Sequence, residues 1–182
     1  MGRLNNLYKR TYNLSLERDE EYFRCVEDYY FTEEFQSMKP YIQHGSIDRI
    51  QHINSVAYMS YRIAKKLKLD YYKTARGALL HDLFYYDWHD PDPSHRLHGY
   101  FHPGFALNNA RALSKKNELE LTSLEENIIK RHMFPLTVVP PKFKESLLVC
   151  LVDKYVATKE IIICSSEKRS KKFFTEIESK VK

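Results

Sequence analysis

Apolar residues recur at three- and four-residue intervals along most of this chain, and that period most constrains what it can fold into. It places side chains on one stripe of an α-helix, whereas a strand needs an interval of two. Phe23, Val26, Tyr30 and Met38, with Tyr22 and Tyr29 alongside, make such a stripe between Glu20 and Met38. Thr32 is placed to restart the helix as an N-cap, and Pro40 to end it. Ile50, Ile53, Ala57 and Ala64 form a second stripe over residues 48–67. Ala75, Ala78, Leu79 and Asp82 form a third over 71–83, behind Asp70 as N-cap. His102-Pro103 reads as the N-cap and first residue of a helix carrying Phe105, Ala106, Ala110 and Leu113. Thr122-Ser123-Leu124-Glu125 is a capping box, and Phe143 to Ile163 resumes as an apolar helix. Residues 84–101 have no period and are rich in Asp, Pro, His and aromatics, which predicts a long loop of the kind that carries function. No strand pair or hairpin signal stands out, so the expected fold is all-α.

With 182 residues, 43% apolar and 29% charged, the composition is that of one soluble globular domain. No stretch approaches the roughly 18 consecutive apolar residues of a membrane span. The opening residues carry neither a secretory signal nor the myristoylation pattern. Cys25, Cys150 and Cys164 are too few and too scattered for a disulfide framework, so a reducing, cytoplasmic compartment is expected. The net charge of +5 is concentrated at Arg62 to Lys68 and at Lys168 to Lys172. These clusters are read as solvated helix faces in preference to a nucleic-acid interface. With five glycines and no glycine-rich phosphate loop, dinucleotide-fold and P-loop readings are weak.

Imidazoles and carboxylates recur across the predicted helices. His52 lies on one helix, His81-Asp82 ends the next, and His102 and His132 bound two more. Asp153 sits within the apolar run Leu151-Val152-Asp153-Lys154-Tyr155. A lone helical histidine ordinarily packs or faces solvent, but a carboxylate in an apolar run needs a partner to offset its lost hydration. Four imidazoles and two carboxylates exceed the four ligands of a closed structural zinc site. Their chemistry suits Zn, Mn, Fe, Ni or Co, with Mg also compatible, and the number of ligands suffices for two ions with open positions.

The segments Ile50-Gln51-His52-Ile53-Asn54-Ser55-Val56, Gly77-Ala78-Leu79-Leu80-His81-Asp82-Leu83 and Leu151-Val152-Asp153-Lys154-Tyr155 together resemble the HD-domain superfamily of metal-dependent phosphohydrolases. The resemblance covers residues 44 to 160. Arg96-Leu97-His98-Gly99-Tyr100-Phe101-His102-Pro103 and Arg131-His132-Met133-Phe134-Pro135-Leu136 are similar to stretches of a group of small bacterial HD proteins. The resemblance implies a helical bundle over 44–160, an N-terminal helical extension over 1–43 and a C-terminal helical tail over 161–182. It implies His52, His81, Asp82 and Asp153 as core metal ligands. His102 and His132 would be the extra ligands of two-metal members, with Asp82 bridging, and Fe or Mn favoured. The cyclic-dinucleotide branch is a poor match, because Leu83-Phe84-Tyr85-Tyr86 follows the dyad where that branch carries a lysine.

The implied activity is hydrolysis of a nucleotide or other small phosphoester or phosphoanhydride by a metal-bound hydroxide. Dinucleoside polyphosphates are included, since members that cleave them share the same order of ligands. The alternative is a metal-containing module that senses a nucleotide without turning it over. Arg96, Lys130, Arg131 and Lys154 are the candidate phosphate-binding cations, and His98 the candidate proton donor to the leaving oxygen. The aromatic run Phe84 to His89 is a candidate for stacking a base. The sequence leaves a homodimer open.

Overall fold

The helix starts are set by side chains that accept otherwise orphaned backbone N–H groups. The computed structural model describes residues 2–92 and 96–181, with side chains through 166. The elements run α1 (Gly2–Arg10), a 3-10 turn (Thr11–Asn13), α2 (Glu20–Tyr30), α3 (Glu33–Gln36), β1 (Ile42–His44), β2 (Ile47–Asp48) and α4 (Arg49–Lys66). They continue with α5 (Tyr71–Leu79), α6 (His98–Lys116), α7 (Ser123–Arg131) and α8 (Lys144–Val181). Thr32, Asp48, Asp70 and Thr122 each cap the following helix through a side-chain oxygen. Each such cap stabilises by about 1 kcal/mol. At Thr122 the capping box is complete.

The all-α expectation holds, with three local corrections. Residues 42–48 form a small antiparallel hairpin that the sequence reading passed over, pairing Ile42 with Asp48 and His44 with Ile47. Its turn begins at Gly45, with φ of 63°. A Cβ there would also meet Cys164 Sγ at 2.4 Å, so glycine satisfies both the left-handed backbone and the packing against α8. Helix α5 stops at Leu79, not at Leu83. The His81 ring donates from Nδ1 to the carbonyl of Ala78, and the chain turns there. Helix α6 begins at His98, a turn before the expected His102, so Pro103 lies inside it.

The core is continuous around α4, whose buried face includes Ile53, Val56, Ala57, Met59 and Ala64. Alanines on α4 and α5 let the two helices pack closely, and Gly77 of α5 lies against Ile128 of α7. The N-terminal residues belong to the same core through Tyr8, Tyr22, Val26, Tyr29, Phe35 and Met38. Thr11 Oγ1 and Ser55 Oγ are 2.8 Å apart, and Tyr58 donates to Asp19. Helix α8 runs on past Ile163 into the C-terminal segment as one element. The side chains of the basic cluster Lys168 to Lys172 lie outside the described residues. No helix among the described residues is long and apolar enough to cross a membrane.

Candidate metal centre

Six side chains from five parts of the fold meet in one buried place. His52 comes from the first turn of α4, His81 and Asp82 from the turn after α5, and His102 from α6. His132 is the C-cap of α7, and Asp153 lies on α8. All six are buried. Asp82 stands at the middle, its two oxygens facing different pairs of histidines. Oδ2 is 3.9 Å from His52 Nε2 and 3.6 Å from His81 Nε2. Oδ1 is 3.1 Å from His102 Nε2 and 3.4 Å from His132 Nε2. Asp153 Oδ1 faces the first pair, 3.3 Å from His52 and 3.7 Å from His81.

The opposite edge of each ring is tied down. Nδ1 of His81, His102 and His132 lies 2.7, 3.0 and 2.8 Å from the carbonyls of Ala78, His98 and Ile129. A carbonyl only accepts, so each Nδ1 carries a proton and the neutral ring turns its Nε2 lone pair inward. His52 is held the same way, its Nδ1 2.8 Å from the buried Glu160 carboxylate. Histidines that ligate metals are oriented by such partners. The His102 and His132 Nε2 atoms are 2.8 Å apart. Two inward lone pairs at that distance repel unless a proton lies between them or a metal ion beside them. Nε2 of His81 and Oδ1 of Asp82 are buried without a hydrogen bond of acceptable geometry. This donor set fits divalent metal.

Burial opposes ionisation of Asp82, but His81, His102 and His132 outweigh it and hold the carboxyl well below its ordinary value. Asp153 is held down likewise by His52 and His81 against its burial. Burial also disfavours a charged His52, yet Glu160 and Asp153 raise its pKa well above the usual range. Burial dominates at His132, which is lowered.

Two three-residue groups have ligand atoms within 4.8 Å of one another and can each hold an ion: His52, His81 and Asp153, and Asp82, His102 and His132. Every metal-ligand candidate from the sequence is therefore in one of them. A third group, His44, His52 and Glu160, meets the same distance criterion. In it, the Nδ1 contact of His52 makes Glu160 the residue that orients this ring.

The centre opens into a cavity of about 700 Å³. His98 lines it, stacked on His102 at 4.5 Å with its Nδ1 3.0 Å from Tyr86 Oη. Lys154 lines it too, donating from Nζ to the His132 carbonyl at 2.8 Å. Arg96 and Lys130 are exposed and Arg131 is half-buried, and none of the three is among the lining residues. Trp88 lines the cavity, but its ring lies against His98 on one side and close to His89, so the indole faces are not open for stacking a base.

Several residues of the site escaped the sequence reading. Gln43 donates from Nε2 to Asp82 Oδ2 at 2.8 Å and accepts from the fully buried Arg49. Arg49 also donates to the carbonyls of Phe84 and Tyr86, and so ties the hairpin to the loop after the dyad. Glu160 carried a readable signal, since it lies two helical turns beyond Asp153 and on the same face. Gln43 carried none.

The family model of the HD domain matches residues 49–158, well over half of the chain. The chain belongs to the HD domain family. Comparisons with curated proteins and with solved structures give no match. All six clustered ligand candidates fall within the HD match, whereas Gln43, His44 and Glu160 lie just outside it. HD domains are in general metal-dependent phosphohydrolases, and the His and Asp clusters of this HD protein are compatible with metal binding.

Proposed function

We propose that this protein hydrolyses a nucleotide or another small phosphoester or phosphoanhydride at a two-metal centre that His52, His81, Asp82, His102, His132 and Asp153 would hold, with Fe or Mn the favoured ions. The observation that carries the reading is the division of the Asp82 carboxylate, one oxygen toward His52 and His81 and the other toward His102 and His132. A single ion would leave one of these imidazole pairs facing a carboxylate oxygen with no shared cation. When bound, divalent ions supply an acidified water and polarise the phosphoryl oxygens.

The chain's own residues supply the rest. Glu160 and three backbone carbonyls hold the imidazoles with Nε2 inward, so the ligand set is oriented before binding. The Lys154 ammonium places positive charge on the cavity wall, for an oxygen of the phosphoryl group. Attack by water forms one phosphorus–oxygen bond and breaks the bond to the leaving group, whose oxygen must take a proton. His98 is the proposed donor: in the tautomer whose Nδ1 accepts from Tyr86, the neutral ring would carry its proton on Nε2.

Elemental analysis of untagged protein, purified without chelator, should find near two equivalents of transition metal per chain. His132→Ala should reduce that content, and Asp82→Ala should lose both metal and turnover. Unchanged hydrolysis by Asp82→Ala would overturn the reading, and one equivalent indifferent to His132→Ala would leave a mononuclear site.

A further inference from the structure

The basic run Arg62 to Lys68 has more built around it than a solvated helix face requires. Arg62, Lys65 and Lys66, on the last turns of α4, line a cleft of about 670 Å³ together with Arg3 of α1 and Arg18 of the segment before α2. Cations gather at a helix C-terminus on their own account, because its carbonyls carry partial negative charge. That accounts for the three on α4, but not for two arginines brought to them from other elements. The cleft shares no lining residue with the cavity of the metal centre. Arg62 lies ten residues beyond His52, about 15 Å along α4.

Two carboxylates also line the cleft, and both are neutralised within the fold. Asp19 accepts from Arg10 Nη2 at 2.8 and 2.9 Å and from Tyr58 Oη at 2.9 Å, while Glu21 is paired with Lys65. The ion pairs of the described residues leave Arg3, Arg18, Arg62 and Lys66 without a carboxylate. Four like charges therefore border one cleft, whose buried lining includes the Tyr22, Tyr58 and Tyr61 rings. Two of the four are held in place beforehand. Arg62 donates to Tyr58 Oη at 2.9 Å, and Arg18 donates to Ser15 Oγ and to the Asn13 carbonyl at 2.9 and 3.0 Å. A guanidinium has five N–H donors, so both keep others for a ligand. Its planar fork matches the oxygens of a phosphoryl group. A phosphoryl group carries at most about two negative charges, so matching four cations takes two or more.

We propose that this cleft binds a small polyanion with two or more phosphoryl groups, at a second site separate from the metal centre. Arg18 and Arg62 receive it, and Arg3 and Lys66 complete the ring of charge from α1 and α4. Such a ligand ties α1 to α4. Among the described residues of α1, Tyr8 alone is buried, so this helix has little apolar anchorage of its own. The inference stands apart from the hydrolase reading, because no residue of the centre lines the cleft.

Tripolyphosphate is the probe, added to metal-replete protein while hydrogen exchange is followed at the amides of α1, where it reports local opening. Saturable slowing of exchange is expected, and Asp82→Ala should respond as the parent does, since the centre takes no part. Arg3→Gln combined with Lys66→Gln alters two exposed side chains and should raise the apparent Kd about tenfold. Metal lost to the chelating probe would act alike on the parent and on this double variant. Citrate, which offers carboxylates in place of phosphoryl groups, should bind more weakly. No slowing at millimolar tripolyphosphate, an unmoved Kd in the double variant, a response lost in Asp82→Ala, or equal binding of citrate would each overturn the proposal. Protection by a single-stranded oligonucleotide with none by tripolyphosphate would overturn it too, and make the cleft part of a nucleic-acid surface.

Discussion

Glu160 is fully buried, and one of its carboxylate oxygens meets Nδ1 of His52. It fixes the ring's orientation and makes Nε2 a better donor to a cation. Glu160→Gln keeps the shape but weakens both effects. Its metal affinity should fall about 10- to 100-fold, read by competition with a chromophoric chelator while far-ultraviolet circular dichroism stays native. Gly45 makes a different kind of contribution. Gly45→Ala would combine a φ of 63° with a Cβ 2.4 Å from Cys164 Sγ. A loss of about 2 kcal/mol in urea unfolding is expected, with strain and overpacking both contributing. Gln43 and His44 lie on the same hairpin, so metal affinity should drop in parallel.

At the scale of elements, the dyad owes its place to where α5 stops. His81 and Asp82 leave the helix because the His81 ring takes the Ala78 carbonyl, so Asp82 can look both ways between two pairs of histidines. A helix continued to Leu83 would separate these neighbouring side chains by about 100° around its axis. The pairing of α5 with α7 depends on a buried ion pair, Arg76 Nε to Glu125 Oε1 at 3.1 Å, and Arg76 also donates to Tyr29 and to the carbonyl of Glu120. Arg76→Leu would leave Glu125 buried without its counter-charge. Stability should fall by about 3 kcal/mol, as a lower urea midpoint with little change in slope.

Across the whole molecule, α4, the turn after α5, α6, the end of α7 and α8 converge on one cluster of like groups. Without a cation, the lone pairs of His102 and His132 face each other at 2.8 Å and two carboxylates lie among the same rings. A bound cation would therefore tie five elements together through one cluster. Chelation should lower Tm, and restoring metal at about 100 times its Kd should return about 2.7 kcal/mol. A Tm indifferent to chelator in protein that contained metal would contradict this coupling.

The helical period, the caps at Thr32, Asp70 and Thr122, and the order His52, His81-Asp82, His102, His132 and Asp153 were all legible in the sequence. They are local facts: a cap acts within its own turn, and an apolar stripe marks its face whatever it packs against. The partners that complete the centre are not local. Gln43 reaches Asp82 only because a short hairpin folds back and Arg49 fastens it to the loop after the dyad. Arg96, Lys130 and Arg131 are neighbours of ligands in sequence, yet only Lys154 of the four candidate cations lines the cavity. Around a helix or turn, adjacent residues diverge, so closeness along the chain says little about closeness to a site. Which residues lie on one helix was determined by the sequence itself. Which of them share a cavity was decided only when five elements packed together.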